Sequence, residues 1–312
     1  MNQVLVTGGC GFIGSHLVRA LLARGDRVRV LDDLSSGKRE NLAGVEQDVE
    51  LVVADLADPA VAPRACAGID LVFHQGAVPA VPRSIADPAG TFRVNVVGTH
   101  ALLLAARAAG VRRFVLASSS SVYGPTAELP KHEEMPPFPV SPYAAQKLAA
   151  EQLALAASRS LGIPAVALRY FNVYGPRQDP RGGYAAVIPA FASRLLRGEA
   201  PTINGDGSYS RDFSFVEDVV RANLAAGEEQ AAVGHAINVA GGRRITILEL
   251  YQRIAAAVGR EDLAPVLGET REGDIPHSLA SIERARRLLG WTPQVSLEEG
   301  LRRTVESYAA GS

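Results

Sequence analysis

The sequence predicts an α/β fold, a doubly wound parallel sheet joined to a smaller mixed α/β domain. Three observations carry that prediction. Short β-branched runs alternate with longer Ala/Leu-rich helical stretches through the first half of the chain, the rhythm of repeated β-α-β units. These apolar runs are bounded by turn residues and do not alternate with polar ones, as strands buried on both faces require. After about residue 175 the rhythm changes, with Gly, Pro and Arg crowding between shorter segments.

In order, strands are expected at 4–6, 28–31, 51–53, 71–73, 114–116 and 165–168, with helices near 13–24, 59–66, 88–109 and 141–161. Right-handed crossovers then cover both faces of the sheet with helices. Beyond residue 175 come a helix near 185–197, a turn-rich stretch at 202–207 and strand-like runs at 213–216 and 236–239. Helices near 246–258, 281–289 and 296–308 close the chain. The expected division is 1–174 plus about 213–241 in one domain, and about 175–212 plus 242–312 in the other. No internal repeat or low-complexity tract interrupts it.

Composition excludes several classes. At 312 residues with 47% apolar and 21% charged side chains, the chain has material for a large core and is neither disordered nor fibrous. A net charge of −1 leaves no basic footprint for nucleic acid. No apolar run approaches the roughly 20 residues of a membrane span, and the start at Met1-Asn2-Gln3 shows no signal-peptide pattern. Two cysteines, Cys10 and Cys66, form no disulfide framework, which suits a reducing cytoplasm. Lysine occurs only at Lys38, Lys131 and Lys147, so 29 of the 32 basic residues are arginine. The histidines show no metal-ligand spacing, and no metal is expected. Cys10 reads as a packing residue.

Thr7-Gly8-Gly9-Cys10-Gly11-Phe12-Ile13-Gly14 follows the first strand and opens a helix. Gly8 suits a tight turn, Gly11 the close approach of a diphosphate, and Gly14 close helix–sheet packing. A helix N-terminus there presents free N–H groups to the anion. Strand two ends at Asp32, about 20 residues on, where a carboxylate accepts from both hydroxyls of an adenosine ribose. Asp32 and Asp33, with no arginine between them, disfavour a 2′-phosphate, so NAD is expected over NADP.

Tyr143-Ala144-Ala145-Gln146-Lys147 sets a phenol and an ammonium one helical turn apart on one face. That pair suits proton removal from an alcohol. An unperturbed phenol titrates at about 10 and is a poor base at neutral pH, but neighbouring cations favour the phenolate. Lys147 also has donors for a ribose. The pair follows the serine-rich end of strand five, Ser118-Ser119-Ser120-Ser121, where parallel sheets bind ligands. Ser119 is the expected partner of the reacting oxygen.

With these elements in order, the chain resembles an extended short-chain dehydrogenase/reductase, and within that family the nucleotide-sugar 4-epimerases. The likeness runs over essentially the whole chain: the TGGCGFIG loop, Asp55-Leu56, SSSSVYG at 118–124, YAAQK at 143–147, Arg169-Tyr170-Phe171-Asn172-Val173-Tyr174-Gly175-Pro176 and Ser210-Arg211-Asp212-Phe213. It implies a Rossmann-like NAD-binding domain and a smaller substrate-binding domain. It also implies Tyr143 as base, Ser119 as its hydrogen-bonding partner and Lys147 tuning it. Phe12 and Ile13 would offer N–H groups to the NAD diphosphate. Asp32, Asp33, Ser36 and Gly37 would surround the adenosine ribose, and Asp55 and Leu56 the adenine. Gln75, Gly76 and Ala77 would line the cofactor, with Tyr170 and Val173 near the nicotinamide. Asn172, Arg211 and Arg271 would bind the sugar-nucleotide diphosphate, and Thr202 and Asn204 would flank the uracil.

The resemblance also bears on the substrate. The family's dTDP-sugar dehydratases carry an Asp-Glu pair where Ser120 and Ser121 stand here, which argues against dehydration. The segment from Tyr184 through Val187 to Pro189 looks most like epimerases that accept N-acetylated hexosamines. In Asp274-Ile275-Pro276-His277-Ser278, Ser278 falls beside the sugar's C2 substituent, where a tyrosine would fill the space of an N-acetyl group. The implied activity is an NAD-dependent UDP-hexose 4-epimerase acting through a 4-keto sugar, as a homodimer formed through the 88–109 and 141–161 helices. The alternatives are a UDP-glucuronate 4-epimerase or decarboxylase, with Arg83 as the candidate partner of the C6 carboxylate, and a catalytically silent NAD-binding regulator.

Overall fold

The computed structural model describes residues 1–79, 81–180, 186–270 and 275–310. Its centre is a seven-stranded sheet of β1 (Gln3–Thr7), β2 (Arg27–Asp32), β3 (Val49–Val53), β4 (Leu71–His74), β5 (Arg113–Ser119), β6 (Ala165–Tyr170) and β11 (Ala236–Val239), in the order β11-β6-β5-β4-β1-β2-β3. Every neighbouring pair is parallel. The chain runs outward from β1 through β2 to β3, then returns to β4 on the other side of β1. That reversal opens a crevice above the carboxyl ends of β1 and β4.

Helices cover both faces. On one lie α1 (Phe12–Ala23) and α8 (Val216–Glu228), whose Leu17, Val18, Leu21, Val219 and Ala226 pack on Val4, Val6 and Phe73. On the other, α2 (Val61–Cys66), α5 (Thr99–Ala108) and α6 (Pro142–Ser160) bury Ala62, Leu102, Leu103, Ala150 and Ala154 against Leu5, Val72 and Phe114. Full burial of each such leucine contributes roughly 1.5–3 kcal/mol. Short helices α3 (Val81–Ala86) and α4 (Pro88–Phe92) bridge β4 to α5. Helix α6 starts sharply because Ser141 caps it, accepting from the Ala144 N–H at 3.2 Å, with Pro142 at the first helical position, where proline costs no hydrogen bond.

Beyond β6 the chain forms β7 (Val173–Tyr174), α7 (Val187–Leu196), β8 (Thr202–Asn204), β9 (Ser210–Asp212) and β10 (Ser214–Phe215). After β11 come β12 (Arg244–Thr246), α9 (Ile247–Val258), β13 (Val266–Gly268), α10 (Glu283–Leu289) and α11 (Leu297–Ala309). Three two-stranded pairs, β10 with β7, β12 with β9 and β13 with β8, brace these pieces. A third apolar cluster holds them, with Tyr174, Phe191, Leu195, Phe215, Tyr251, Ile254 and Leu301 at its centre.

Three expectations need correction. The helix expected over 88–109 is broken by a π-helical turn at Arg93–Gly98; the wider turn accompanies an inward-facing Asn95. The run at 213–216 is not one strand, because β10 ends at Phe215 and α8 begins at Val216. The turn-rich stretch expected at 202–207 opens with a strand, β8 at Thr202–Asn204, and α3 is an element beyond those expected.

Candidate active site

The crevice at the carboxyl ends of β1 and β4 is a cleft of about 1360 Å³, lined by Gly8, Gly11, Phe12, Ile13, Gly14, Asp32, Asp33, Ser36, Gly37, Leu56, Gln75, Gly76, Ala77, Tyr143, Lys147 and Tyr170 among others. Most of the residues expected to hold a dinucleotide therefore meet in one place. The loop after β1 leaves no room for side chains of its own: a Cβ on Gly14 would stand 2.0 Å from the Gly8 carbonyl oxygen, and one on Gly8, at φ +67°, would stand 2.8 Å from Gly76 Cα. Gly11 occupies the N-cap of α1 without a side-chain cap, and no acidic residue stands in the first turn. The first N–H groups of α1 are thus free for an anion, at the positive end of the helix dipole.

Asp32 ends β2 inside this cleft. Its Oδ2 accepts from the Cys10 N–H and its Oδ1 from the Leu34 N–H, each at 2.9 Å. Burial pushes this carboxyl above its usual range while those two N–H groups pull it back. A Cβ on Gly37 would lie 2.8 Å from Asp32 Oδ1, so glycine keeps that face of the carboxylate open. Asp55 does not line the cleft; it pairs with Arg93 at 2.7 Å.

Gln75 is fixed by Tyr170, an expected site residue, and by Asn223, which sequence reasoning missed. Its Nε2 donates to Asn223 Oδ1 at 3.0 Å, and the Tyr170 hydroxyl donates to its Oε1 at 3.1 Å. Asn95 was also missed. Its side chain accepts from the Val78 N–H at 2.7 Å and donates to the Val78 carbonyl at 3.1 Å and to Gln146 Oε1 at 2.9 Å. It thereby ties the segment after β4 to helix α6. Lone asparagines on buried helical faces were the available signal for both.

Tyr143 stands at the second position of α6, where its N–H lacks an intrahelical acceptor and donates to Ser84 Oγ at 2.9 Å. Burial raises the phenol, and a hydrogen bond with Ser119 lowers it. The expected downward pull of Lys147 is not among the influences on it: in this chain Tyr143 sits above its ordinary value. Ser119 Oγ accepts from the Ser121 N–H at 3.2 Å and the Ser121 hydroxyl at 2.9 Å. With two donors supplied, its own proton is left for the Tyr143 oxygen, the bond that lowers the phenol. Lys147 is buried, and desolvation lowers it to about 8 against an upward pull from Glu151. Glu151 is otherwise engaged, accepting from Arg169 Nε at 2.9 Å, Arg169 Nη2 at 2.6 Å and the Ser118 hydroxyl at 2.7 Å. A phenol, a hydroxyl donor and an ammonium thus converge on one end of the cleft, an arrangement suited to moving a proton to and from an alcohol.

A smaller cavity of about 160 Å³ lies alongside, lined by Ser120, Ser121, Tyr123, Lys131, Asn172, Arg211, His277 and Ser278 among others. Asn172 adopts φ +34° and donates through Nδ2 to the Asp212 carbonyl at 2.8 Å. Arg211 Nη1 donates to the carbonyls of Ser210 and Pro276 at 3.0 and 3.1 Å, and the Ser278 N–H donates to the Ser210 carbonyl at 3.0 Å. Six expected site residues line neither cavity: Ser119 meets the site through its hydrogen bond with Tyr143, Asp55 pairs with Arg93, Val173 packs in the apolar clusters, Val187 opens α7, and Thr202 and Asn204 sit on β8 beside β13. Arg271 and Asp274 lie outside the described residues. Among the described residues, no group of three or more His, Cys, Asp or Glu side chains could hold a metal ion.

A sequence model of the NAD dependent epimerase/dehydratase family matches residues 4–240. The chain belongs to that family. It is 44% identical to UDP-glucose 4-epimerase of Mycolicibacterium smegmatis over 98% of both chains. Among solved structures, UDP-N-acetylglucosamine 4-epimerase from Methanobrevibacter ruminantium M1, in complex with UDP-N-acetylmuramic acid, is similar with a TM-score of 0.95 and 39% identity, over 100% of this chain and 99% of that one. The Thermus thermophilus UDP-glucose 4-epimerase complex with NAD superposes with a TM-score of 0.89 and 40% identity, over 99% and 100%.

The family's NAD fits the residues present. A glycine cradle without Cβ atoms, an uncapped helix N-terminus and a ribose-level carboxylate at Asp32 line the same cleft as Tyr143 and Lys147. At the two positions after Ser119, the smaller cavity is lined by Ser120 and Ser121.

Proposed function

We propose that this member of the epimerase/dehydratase family is a UDP-hexose 4-epimerase that keeps NAD through the catalytic cycle. One observation carries the reading: Tyr143, Lys147 and the glycine loop line a single cleft, with Ser119 hydrogen-bonded to the Tyr143 phenol. Reversible hydride exchange at the sugar's C4 is the chemistry that bound NAD supplies. Tyr143 removes the C4 hydroxyl proton, holds it on its phenolic oxygen while the sugar is a 4-keto species, and returns it. Ser119, already supplied with two donors, has a single proton to give, which can pass between the Tyr143 oxygen and the reacting oxygen beside it. The first turn of α6, where Tyr143 stands, favours its phenolate, and a cationic cofactor ring held beside it would add to that pull against the burial that raises it. Lys147, whose Nζ makes no hydrogen bond to a described side chain, has donors for the nicotinamide ribose.

Gly8, Gly11, Phe12, Ile13 and Gly14 would receive the NAD diphosphate, Asp32, Asp33, Ser36 and Gly37 the adenosine ribose, and Leu56 the adenine, while the role of Asp55 there rests on the family likeness alone. Gln75, Gly76, Ala77, Tyr170 and Val173 complete the cofactor's surroundings. Asn172 and Arg211, which line the smaller cavity, suit the UDP diphosphate, and Ser278 there suits the sugar; the roles of Arg271 at the diphosphate, Thr202 and Asn204 at the uracil, and Val187 and Asp274 at the remaining substrate surface rest on the family likeness alone. Ser278, lining the smaller cavity, leaves space for an N-acetyl group, so the substrates include the N-acetylated hexosamines beside UDP-glucose and UDP-galactose.

The assembly is a homodimer through the helices at 88–108 and 142–160. Phe92, Val97 and Leu104, exposed at 49, 47 and 43%, support that face as the contact, and light scattering tests it. Buried, unpaired Cys10 and Cys66 support a reducing cytoplasmic setting. A second reading, a UDP-glucuronate 4-epimerase or decarboxylase, is supported by Arg83 lining the cleft, where it suits a C6 carboxylate. Incubation with UDP-glucose, UDP-N-acetylglucosamine and UDP-glucuronate, with no added cofactor and products resolved by chromatography, tests both readings. Inertness toward all three substrates with NAD bound would contradict them.

A further inference from the structure

This chain uses arginine for 29 of its 32 cations, yet its three lysines all line the two cavities: Lys38 and Lys147 the large cleft, Lys131 the smaller one. Lysine is a compact charge with three rotatable donors, whereas arginine brings a larger planar fork. In a cavity of about 160 Å³ that difference decides what else fits. Lys38 is paired with Asp179 at 2.6 Å, and Lys147 belongs to the site already described. Lys131 is the one the proposed reaction leaves without a role.

Lys131 is only 3% exposed, and among the described residues no carboxylate lies within ion-pair distance of its ammonium. One of its three donors goes to the Thr126 carbonyl. Burial depresses it, with Glu128 pulling the other way. An enclosed ammonium with no ion-pair partner among the described residues is costly, and its backbone is held in place regardless. The Lys131 N–H donates to the Leu279 carbonyl at 2.7 Å, and its carbonyl accepts from the Ser281 N–H at 2.8 Å and Asn238 Nδ2 at 3.0 Å. These bonds join Lys131 to the segment that carries His277 and Ser278 into the same cavity.

We propose that Lys131 is a substrate-binding residue whose ammonium takes an anionic oxygen of the sugar nucleotide in the smaller cavity. The proposal rests on the sugar-nucleotide reading above. Two parts of such a substrate offer that chemistry, the diphosphate and, on a uronic sugar, the carboxylate.

The test is Lys131→Met on the full chain with its bound NAD, measuring KM and kcat for UDP-glucose and UDP-glucuronate, UDP affinity by calorimetry, and NAD content. A diphosphate contact raises KM for both sugars and weakens UDP binding by about tenfold or more, with kcat for UDP-glucose near its original value. A carboxylate contact raises KM for UDP-glucuronate alone. Either pattern supports the proposal, as does partial recovery in Lys131→Arg. Unchanged KM values and UDP affinity in a folded, NAD-loaded Lys131→Met protein overturn it. So does a loss confined to kcat or to NAD content. Failure of the unmodified chain on every sugar nucleotide would instead strike at the proposed function itself.

Discussion

Arg169 grips Glu151 with two hydrogen bonds, at 2.9 and 2.6 Å, one helical turn beyond Lys147. The pair is sealed in, with Glu151 fully buried and Arg169 4% exposed, and Ser118 supplies a third donor to the carboxylate. Glu151 is therefore largely neutralised from its far side. Lys147, four residues earlier on α6, keeps only part of that attraction, and burial depresses it to about 8.

Replacing Arg169 with methionine leaves a buried carboxylate whose nearest remaining cation is Lys147. Removing one partner of a buried pair costs about 3–5 kcal/mol, so the denaturant midpoint falls. Glu151 then holds the Lys147 proton more tightly, and the alkaline limb of the activity profile moves to higher pH. Urea unfolding and a pH–rate profile on the same variant check both halves.

Lys147 also makes stability depend on pH in a defined direction. Its folded value, about 8, lies below the unfolded value of 10.5, so between them the unfolded chain binds more protons. Stability then rises with pH across that window, and the contribution is lost as pH falls through 8. Unfolding free energies at pH 8 and pH 10 show the rise in the original chain and a smaller one in Lys147→Met.

Gly14→Ala places a methyl 2.0 Å from the Gly8 carbonyl oxygen, a backbone atom that cannot step aside. The loop is then displaced from the first turn of α1. Purified Gly14→Ala protein carries much less bound dinucleotide than the original, read by NAD released on denaturation, and melts at a lower temperature.

Ser278→Tyr fills the smaller cavity at the position lined by Ser278. Turnover of UDP-N-acetylglucosamine falls by tenfold or more, about the scale of excluding a small group from a fitted pocket, while UDP-glucose turnover is retained. Equal losses on both substrates contradict Ser278 as the selecting residue.

Much of this architecture was legible because buried parallel strands leave unbroken apolar runs. All six first-half strands fall where Val4-Leu5-Val6 and its counterparts placed them, and the crevice follows from their order. The glycine loop, Asp32 and the Tyr143–Lys147 pair were legible because their spacing is local and chemically constrained. What stayed hidden depends on tertiary contacts. The π-turn at Arg93–Gly98 has a sequence that reads equally well as an ordinary helix, and Asn95 turns inward to meet the Val78 backbone and Gln146, contacts that only the tertiary structure brings together. Asn223 lies on α8, which follows β10 with no breaker between Phe215 and Val216. The depression of Lys147 could not be anticipated from i,i+4 spacing to Glu151, because burial, set by tertiary packing, outweighs that carboxylate's pull.

The central claim is that Tyr143 moves the proton. Its most direct test is the rate of UDP-galactose to UDP-glucose conversion by Tyr143→Phe, with NAD content and UDP affinity measured on the same sample. With both retained, the rate is predicted to fall by about 10²- to 10⁴-fold, the scale of general acid–base catalysis. A rate close to that of the original chain would contradict the account.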